Sequence, residues 1–139
     1  MLSADDERMT RDADLRQEWL ALMDRVRRAN ADLIQRAEAE GITFELDDRD
    51  TLNITIGEPP AMSYTQRSGP VRMNLRSGTD EIVGFSIPNI TEYAAQHPKT
   101  AGGFDDLLPA LRVRGKIQLP PGSRGAESMG RDLRELVPA

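Results

Sequence analysis

Between Ile42 and Ile87, apolar side chains recur at every second position, in sets separated by turn residues. Ile42, Phe44 and Leu46 form one set. Leu52, Ile54 and Ile56 form another around Asn53 and Thr55. Val71, Met73 and Leu75 alternate with Arg72 and Asn74, and Val83, Phe85 and Ile87 alternate with Gly84 and Ser86. Met62 and Tyr64 are a weaker pair. A period of two places each set on one face of a strand. The separators are turn chemistry: Asp47-Asp48-Arg49-Asp50, Gly57-Glu58-Pro59-Pro60, Arg67-Ser68-Gly69-Pro70 and Ser77-Gly78-Thr79-Asp80. Such short gaps leave no room for helical crossovers, so the strands must pair antiparallel. One face is apolar and the other polar, so a second layer has to cover the apolar one.

A helix precedes this stretch. From Thr10 to Glu40 there is no proline or glycine, and good helix formers dominate. Leu15, Trp19, Leu22, Val26, Ala29 and Leu33 follow spacings of 4, 3, 4, 3 and 4, an a/d seam. Leu20, Met23 and Ile34 widen it. Gly41 is placed as the stop. About thirty residues at roughly 1.5 Å each make a rod of about 45 Å. A strand of about five residues spans only about 17 Å. The helix therefore outreaches the sheet it could cover. Its surplus length either frays beyond its own sheet, pairs with a second copy or meets another protein; of these, self-association is expected, through Leu15, Trp19, Leu22, Val26 and Leu33.

After Ile87 the pattern loosens. Pro88-Asn89 opens a short helix, with Asn89 and Glu92 spaced as a capping box. Ile90, Tyr93 and Ala94 would close one end of the sheet, and His97-Pro98 would end the helix. Gly102-Gly103 reads as a hinge. Phe104-Asp105-Asp106-Leu107-Leu108 reads as an amphipathic turn stopped by Pro109. Leu111, Val113, Ile117 and Leu119 share a strand parity, with Arg112, Arg114 and Lys116 opposite. Pro120 to Gly130 is linker-like, and residues 131–136 offer a last helical turn. The cluster Phe104, Leu107, Leu108 and the row Leu111 to Leu119 are expected to bind a partner protein, by strand addition to an exposed sheet edge. That edge belongs either to this chain or to another.

Composition bounds the chemistry. At 139 residues, one domain with appended arms is expected. An apolar share of 38% means that only part of the chain can be packed core. The absence of cysteine removes disulfides, thiol nucleophiles and thiolate metal sites. The sole histidine, His97, has no second ligand type beside it. Asp47, Asp48 and Asp50 crowd one turn without the further oxygens of a calcium loop. Ser63, Ser68 and Ser77 lie in no nucleophile motif. The glycines near residues 102 and 122–125 lack the strand–loop–helix setting of a phosphate cradle. The basic stretch 112–124 has no interleaved aromatics and the net charge is -5, which argues against nucleic acid. No apolar run reaches membrane-spanning length, and the acidic N-terminus lacks a signal-like core, so a cytoplasmic location is expected.

Two stretches, Leu46-Asp47-Asp48-Arg49-Asp50-Thr51-Leu52-Asn53-Ile54 and Glu81-Ile82-Val83-Gly84-Phe85-Ser86-Ile87, carry a resemblance. Together they resemble a family of short bacterial proteins built around a domain of unknown function. That pattern runs Tyr-Asp, then Asp-x-Leu-Tyr-Ile, then Ile-Val-Gly-x-Glu-Ile. Leu46 and Asn53 stand in place of the tyrosines and Ser86 in place of the glutamate, and the first turn is one residue shorter. The resemblance implies a small β-meander and transfers no catalytic residue.

The expected fold is α+β: a long N-terminal helix (1–41), a small antiparallel β-meander with a short closing helix (42–98) and an extended C-terminal tail (99–139). The expected role is a non-catalytic interaction or assembly subunit, a homo-oligomer with a protein partner, needing no cofactor or metal. The alternative is a small ligand-binding or regulatory domain that uses the polar sheet face.

Overall fold

The computed structural model describes residues 4–96 and 102–137, with side chains for 11–67, 69–96 and 107–137. Helices α1 (Ala4–Ala29) and α2 (Leu33–Glu40) lead into strands β1 (Ile42–Leu46), β2 (Leu52–Ile56), β3 (Ser63–Ser68), β4 (Val71–Arg76) and β5 (Ile82–Ile87). Helices α3 (Ile90–Gln96) and α4 (Gly102–Arg114), strand β6 (Lys116–Leu119) and helix α5 (Arg124–Arg134) complete the chain. The fold is α+β, with six strands in the order β3-β4-β5-β2-β1-β6. Every neighbouring pair is antiparallel. β3, β4 and β5 form a meander, and the β1–β2 hairpin lies beside it through β2–β5 pairing. The chain leaving β2 therefore crosses to the far edge before β3 starts. Gly57-Glu58-Pro59-Pro60 serves that crossing, since proline has no N–H to leave unpaired.

Register aligns the apolar sets. Phe44 faces Ile54, Ile54 faces Phe85, and Phe85 faces Met73 across successive strands. All helices cover this one face. Met23 and Val26 of α1, Leu33 and Ala37 of α2, Ile90 and Tyr93 of α3, Leu108 and Leu111 of α4, and Met129 and Leu133 of α5 join the strands in one core. One strand departs from simple alternation. Asn74 pairs with Gly84 but Leu75 pairs with Ile82, so Val83 is an extra residue, a β-bulge. The bulge turns Ile82 onto the apolar face, where it is fully buried. Gly84, next to the bulge, has no room for a side chain, because a Cβ would overlap the Ile54 carbonyl oxygen.

The N-terminal helix is not one rod. It breaks at residues 30–32. The cause is Asn30, the buried polar residue of the described core. Its Nδ2 donates to the Val26 carbonyl (2.6 Å) and the Asp80 carbonyl (2.8 Å). Its Oδ1 accepts from the Ile82 backbone N–H (2.7 Å) and from Arg36 Nη2 (2.6 Å). Those four bonds fill the carboxamide's capacity. Arg36 Nη1 also donates to the Ile82 carbonyl (2.9 Å). The helix break is thus clamped to the start of β5. Asn30→Leu strips the Ile82 N–H and the Asp80 carbonyl of a partner in a buried setting, and should cost about 1–3 kcal/mol. Urea unfolding reads this directly, and an unchanged midpoint would refute the clamp.

Four local expectations are corrected. Pro109 does not stop a turn: α4 runs through it to Arg114, anchored by buried Leu108 and Leu111. Leu111 and Val113 are consequently helical, and the strand row shrinks to Lys116–Leu119 after Gly115, whose φ of 78° suits a helix stop. Residues from 124 onward are not linker but α5, with Ser123 Oγ accepting from the Ala126 N–H at 3.1 Å. The start of α3 is held not by an Asn89–Glu92 box but by Asp50. The Asp50 carbonyl accepts from Ile90 N–H (2.9 Å), and its carboxylate accepts from the Thr91 N–H (3.1 Å) and hydroxyl (2.9 Å).

Candidate functional site

With every helix on one face, the other face of the sheet is polar and open. Register places two rows of side chains across it. Thr65, Asn74, Gly84, Thr55, Thr43 and Gln118 form one row. Arg67, Arg72, Ser86, Asn53, Glu45 and Lys116 form the other. Among these residues only Gly84 is buried. A side-chain chain crosses four strands. Thr65 Oγ1 donates to Asn74 Oδ1 (3.2 Å), Asn74 Nδ2 to Ser86 Oγ (3.3 Å), and Ser86 Oγ to Asn53 Oδ1 (3.0 Å). These bonds fix the rotamers of a surface already in contact with water.

At one end the face runs into a hollow of about 360 Å³. The β3–β4 turn forms one wall through Arg67, Gly69, Pro70 and Arg72. Pro88, Asn89, Glu92, Tyr93 and Gln96 form the other, where β5 passes into α3. Gln96 Nε2 donates to Glu92 Oε1 at 3.2 Å. Burial raises the pKa of Tyr93, so its ring is a neutral wall at ordinary pH. Elsewhere, burial and then the Asp80 charge raise the pKa of Tyr64, whose hydroxyl donates to the Thr79 carbonyl (2.9 Å). Asp132 is also raised, by burial and then by Glu135.

The expected self-association residues divide. Val26 and Leu33 are buried in the chain's own core, and Leu22 is half-buried against it. Leu15 (57% exposed) and Trp19 (38%) lie open, with Leu20 (58%) beside them. The expected partner-binding residues divide as well. Leu108 and Leu111 are buried, and Leu107, Ile117 and Leu119 pack against the core. β6 adds to β1 of its own chain, with Ile117 facing Phe44 and Leu119 facing Ile42. Val113, Arg112, Arg114 and Lys116 are exposed, and Arg112 Nη2 donates to Thr91 Oγ1 at 3.1 Å. The side chain of Phe104, and His97 altogether, lie outside the described residues.

Asp47 uses its carboxylate on the Arg49 and Thr51 N–H groups of its own turn, and Asp50 uses its carboxylate on the N–H and hydroxyl of Thr91 in α3. No cluster of three or more metal-ligating side chains occurs among the described residues. Nor, among them, is any helix long and apolar enough to cross a membrane.

The pairing of Arg67 with Arg72 is implicit in the sequence, though no motif marks it. The residues flank a Gly69-Pro70 turn symmetrically, so any hairpin closing on that turn sets them opposite one another. The far wall from α3 carried no local signal.

Fold and site together define an α+β protein with helices on one side of an antiparallel sheet and an open polar surface on the other. No family model matches the chain, and neither the curated proteins nor the solved structures provide a match.

Proposed function

We propose that this chain is a non-catalytic assembly subunit, working in the cytoplasm, that pairs with a second copy through the outer half of α1. One observation carries the reading. The apolar stripe of α1 enters the core at Met23 and Val26 and continues outward as exposed Leu20, Trp19 and Leu15. The 4-3 spacing of Leu15, Trp19 and Leu22 suits a like helix better than a flat surface. Leu15 and Leu20 are little more than half exposed and Trp19 less, so covering them is worth at most about 1.5–3 kcal/mol each in each copy. Association itself costs about 4–15 kcal/mol. The two are of the same order, so the pairing is concentration-dependent rather than obligate. Sedimentation at about 50 µM, a concentration suited to micromolar affinity, tests it. The native chain should sediment as a dimer, and the double variant Leu15→Glu/Trp19→Glu as a monomer with unchanged circular dichroism. A native monomer at that concentration removes the reading. Val26 is not a useful target, because a glutamate there would disrupt the core.

The tail's part narrows accordingly. Its surface for a protein partner is Val113 (87% exposed) with Arg112, Arg114 and Lys116, which favours a partner rich in acids. The reading is compatible with the resemblance to short bacterial β-meander proteins. A second reading, a ligand-binding or regulatory domain, draws support from the openness of the polar sheet face.

A further inference from the structure

The Arg67–Arg72 pair sits where a fold concerned with stability alone would avoid it. Directly opposed residues on antiparallel strands have Cβ atoms about 4.5–5.5 Å apart, and like charges there are destabilising. Arg25, Arg27, Arg28, Arg36, Arg76 and Arg131 each have an acidic partner. Arg67 and Arg72, like the exposed Arg11, Arg16, Arg49, Arg112, Arg114, Arg124 and Arg134, have none among the described residues, but these two face each other across a hairpin and line one hollow. Glu92 is the only acid in the described lining, and it is already engaged by Gln96. Two guanidinium groups against one carboxylate leave the hollow cationic. Its volume of about 360 Å³ lies at the lower end of small-ligand sites. Pro70 and Pro88 give it stiff walls, and Gly69 keeps the turn free of a side chain.

The geometry points to a site for a small oxyanion, a phosphate or carboxylate group held between the two guanidinium forks. Arginine is suited to this task because its planar donors meet two oxygens at once. The oxyanion supplies the negative charge that the pair lacks, so binding relieves the repulsion across the hairpin. This inference rests on the second reading above and gives it a place and a ligand class. It is independent of pairing through α1.

The test is an NMR titration of the full chain at constant ionic strength, with inorganic phosphate in one arm, succinate in a second and chloride as the control. The expected result is a saturable shift at the amides of Arg67, Gly69, Arg72 and Gln96 with phosphate or succinate. The arm that saturates at lower concentration identifies the oxyanion. Arg67→Gln or Arg72→Gln should weaken binding roughly ten-fold or more. Arg67→Lys, which keeps the charge but not the fork, should fall in between. Arg49→Gln, at a different turn, should leave binding unchanged. Both glutamine variants should melt no lower than the native chain, since each removes a repulsion, so lost binding cannot be blamed on unfolding. Linear shifts equal to those in chloride, or saturable shifts untouched by the Arg67 and Arg72 variants, would overturn the site. Saturable shifts confined to Asn53, Thr55 and Ser86 would also overturn it, while leaving the broader reading of the sheet face intact.

Discussion

A chain lacking residues 102–139 will not give a cooperative thermal transition. The deletion takes away Leu108, Leu111, Met129, Leu133 and Leu136, all buried in the shared core. At about 1.5–3 kcal/mol per side chain, the loss is about 8–15 kcal/mol. A domain's whole stability is about 5–15 kcal/mol. The deletion also removes β6, leaving β1 as a bare sheet edge with Ile42 and Phe44 losing the neighbours they face. Exposed edges of that kind invite aggregation. α2 loses its cover too, since Gly130 of α5 sits against Ala37 so closely that a Cβ would lie 2.9 Å away. Scanning calorimetry decides the matter. A truncated chain that melts at the native temperature would mean that the C-terminal segment is an accessory to the fold, not part of it.

Phe85→Ala should lower the unfolding free energy by about 3–5 kcal/mol, the range for emptying a fully buried aromatic site. Phe85 has no exposed surface and lies in the middle of the sheet, facing Ile54 on β2 and Met73 on β4. Both neighbours are rigidly paired, so the cavity has little scope to collapse. A matched Ile87→Val, which deletes one methyl from the same strand, should cost only about 0.5–1.5 kcal/mol. Urea denaturation with an unchanged slope gives both values. Equal midpoints for the two variants would place Phe85 outside the core.

The strands were legible because alternation is a local property. Ile54 flanked by Asn53 and Thr55 needs no knowledge of distant residues to read as one strand with two faces. The antiparallel pairing within the β1–β2 hairpin and the β3–β4–β5 meander followed from short gaps alone. The long reach of α1 was legible too, since helix length is a sum over consecutive residues. The exposure of Leu15 and Trp19 is where that surplus length ends up.

Other features depended on partners far away in the chain. Asn30 looks like one more polar residue in a helical run, but its partners at Asp80 and Ile82 lie some fifty positions onward. α5 looks like linker because Ala126 and Gly130 are small, and at Gly130 smallness is an advantage only against the close approach of Ala37. Leu111 and Val113 share strand parity with Ile117 and Leu119, yet the burial of Leu108 and Leu111 favours a helix that continues past Pro109. The hollow was half legible: hairpin closure sets Arg67 against Arg72, whereas Tyr93 and Gln96 reach it only through the path of β5 into α3.

The sequence by itself determined the α+β class, the apolar and polar sheet faces and the N-terminal helix longer than the sheet, because each follows from a repeat of two or about 3.6 residues along the chain. Tertiary structure alone decided the strand order, the break at Asn30, the return of the C-terminal segment as β6 and α5, and the far wall of the arginine hollow. Those depend on hydrogen bonds and close contacts between segments whose proximity no local pattern records.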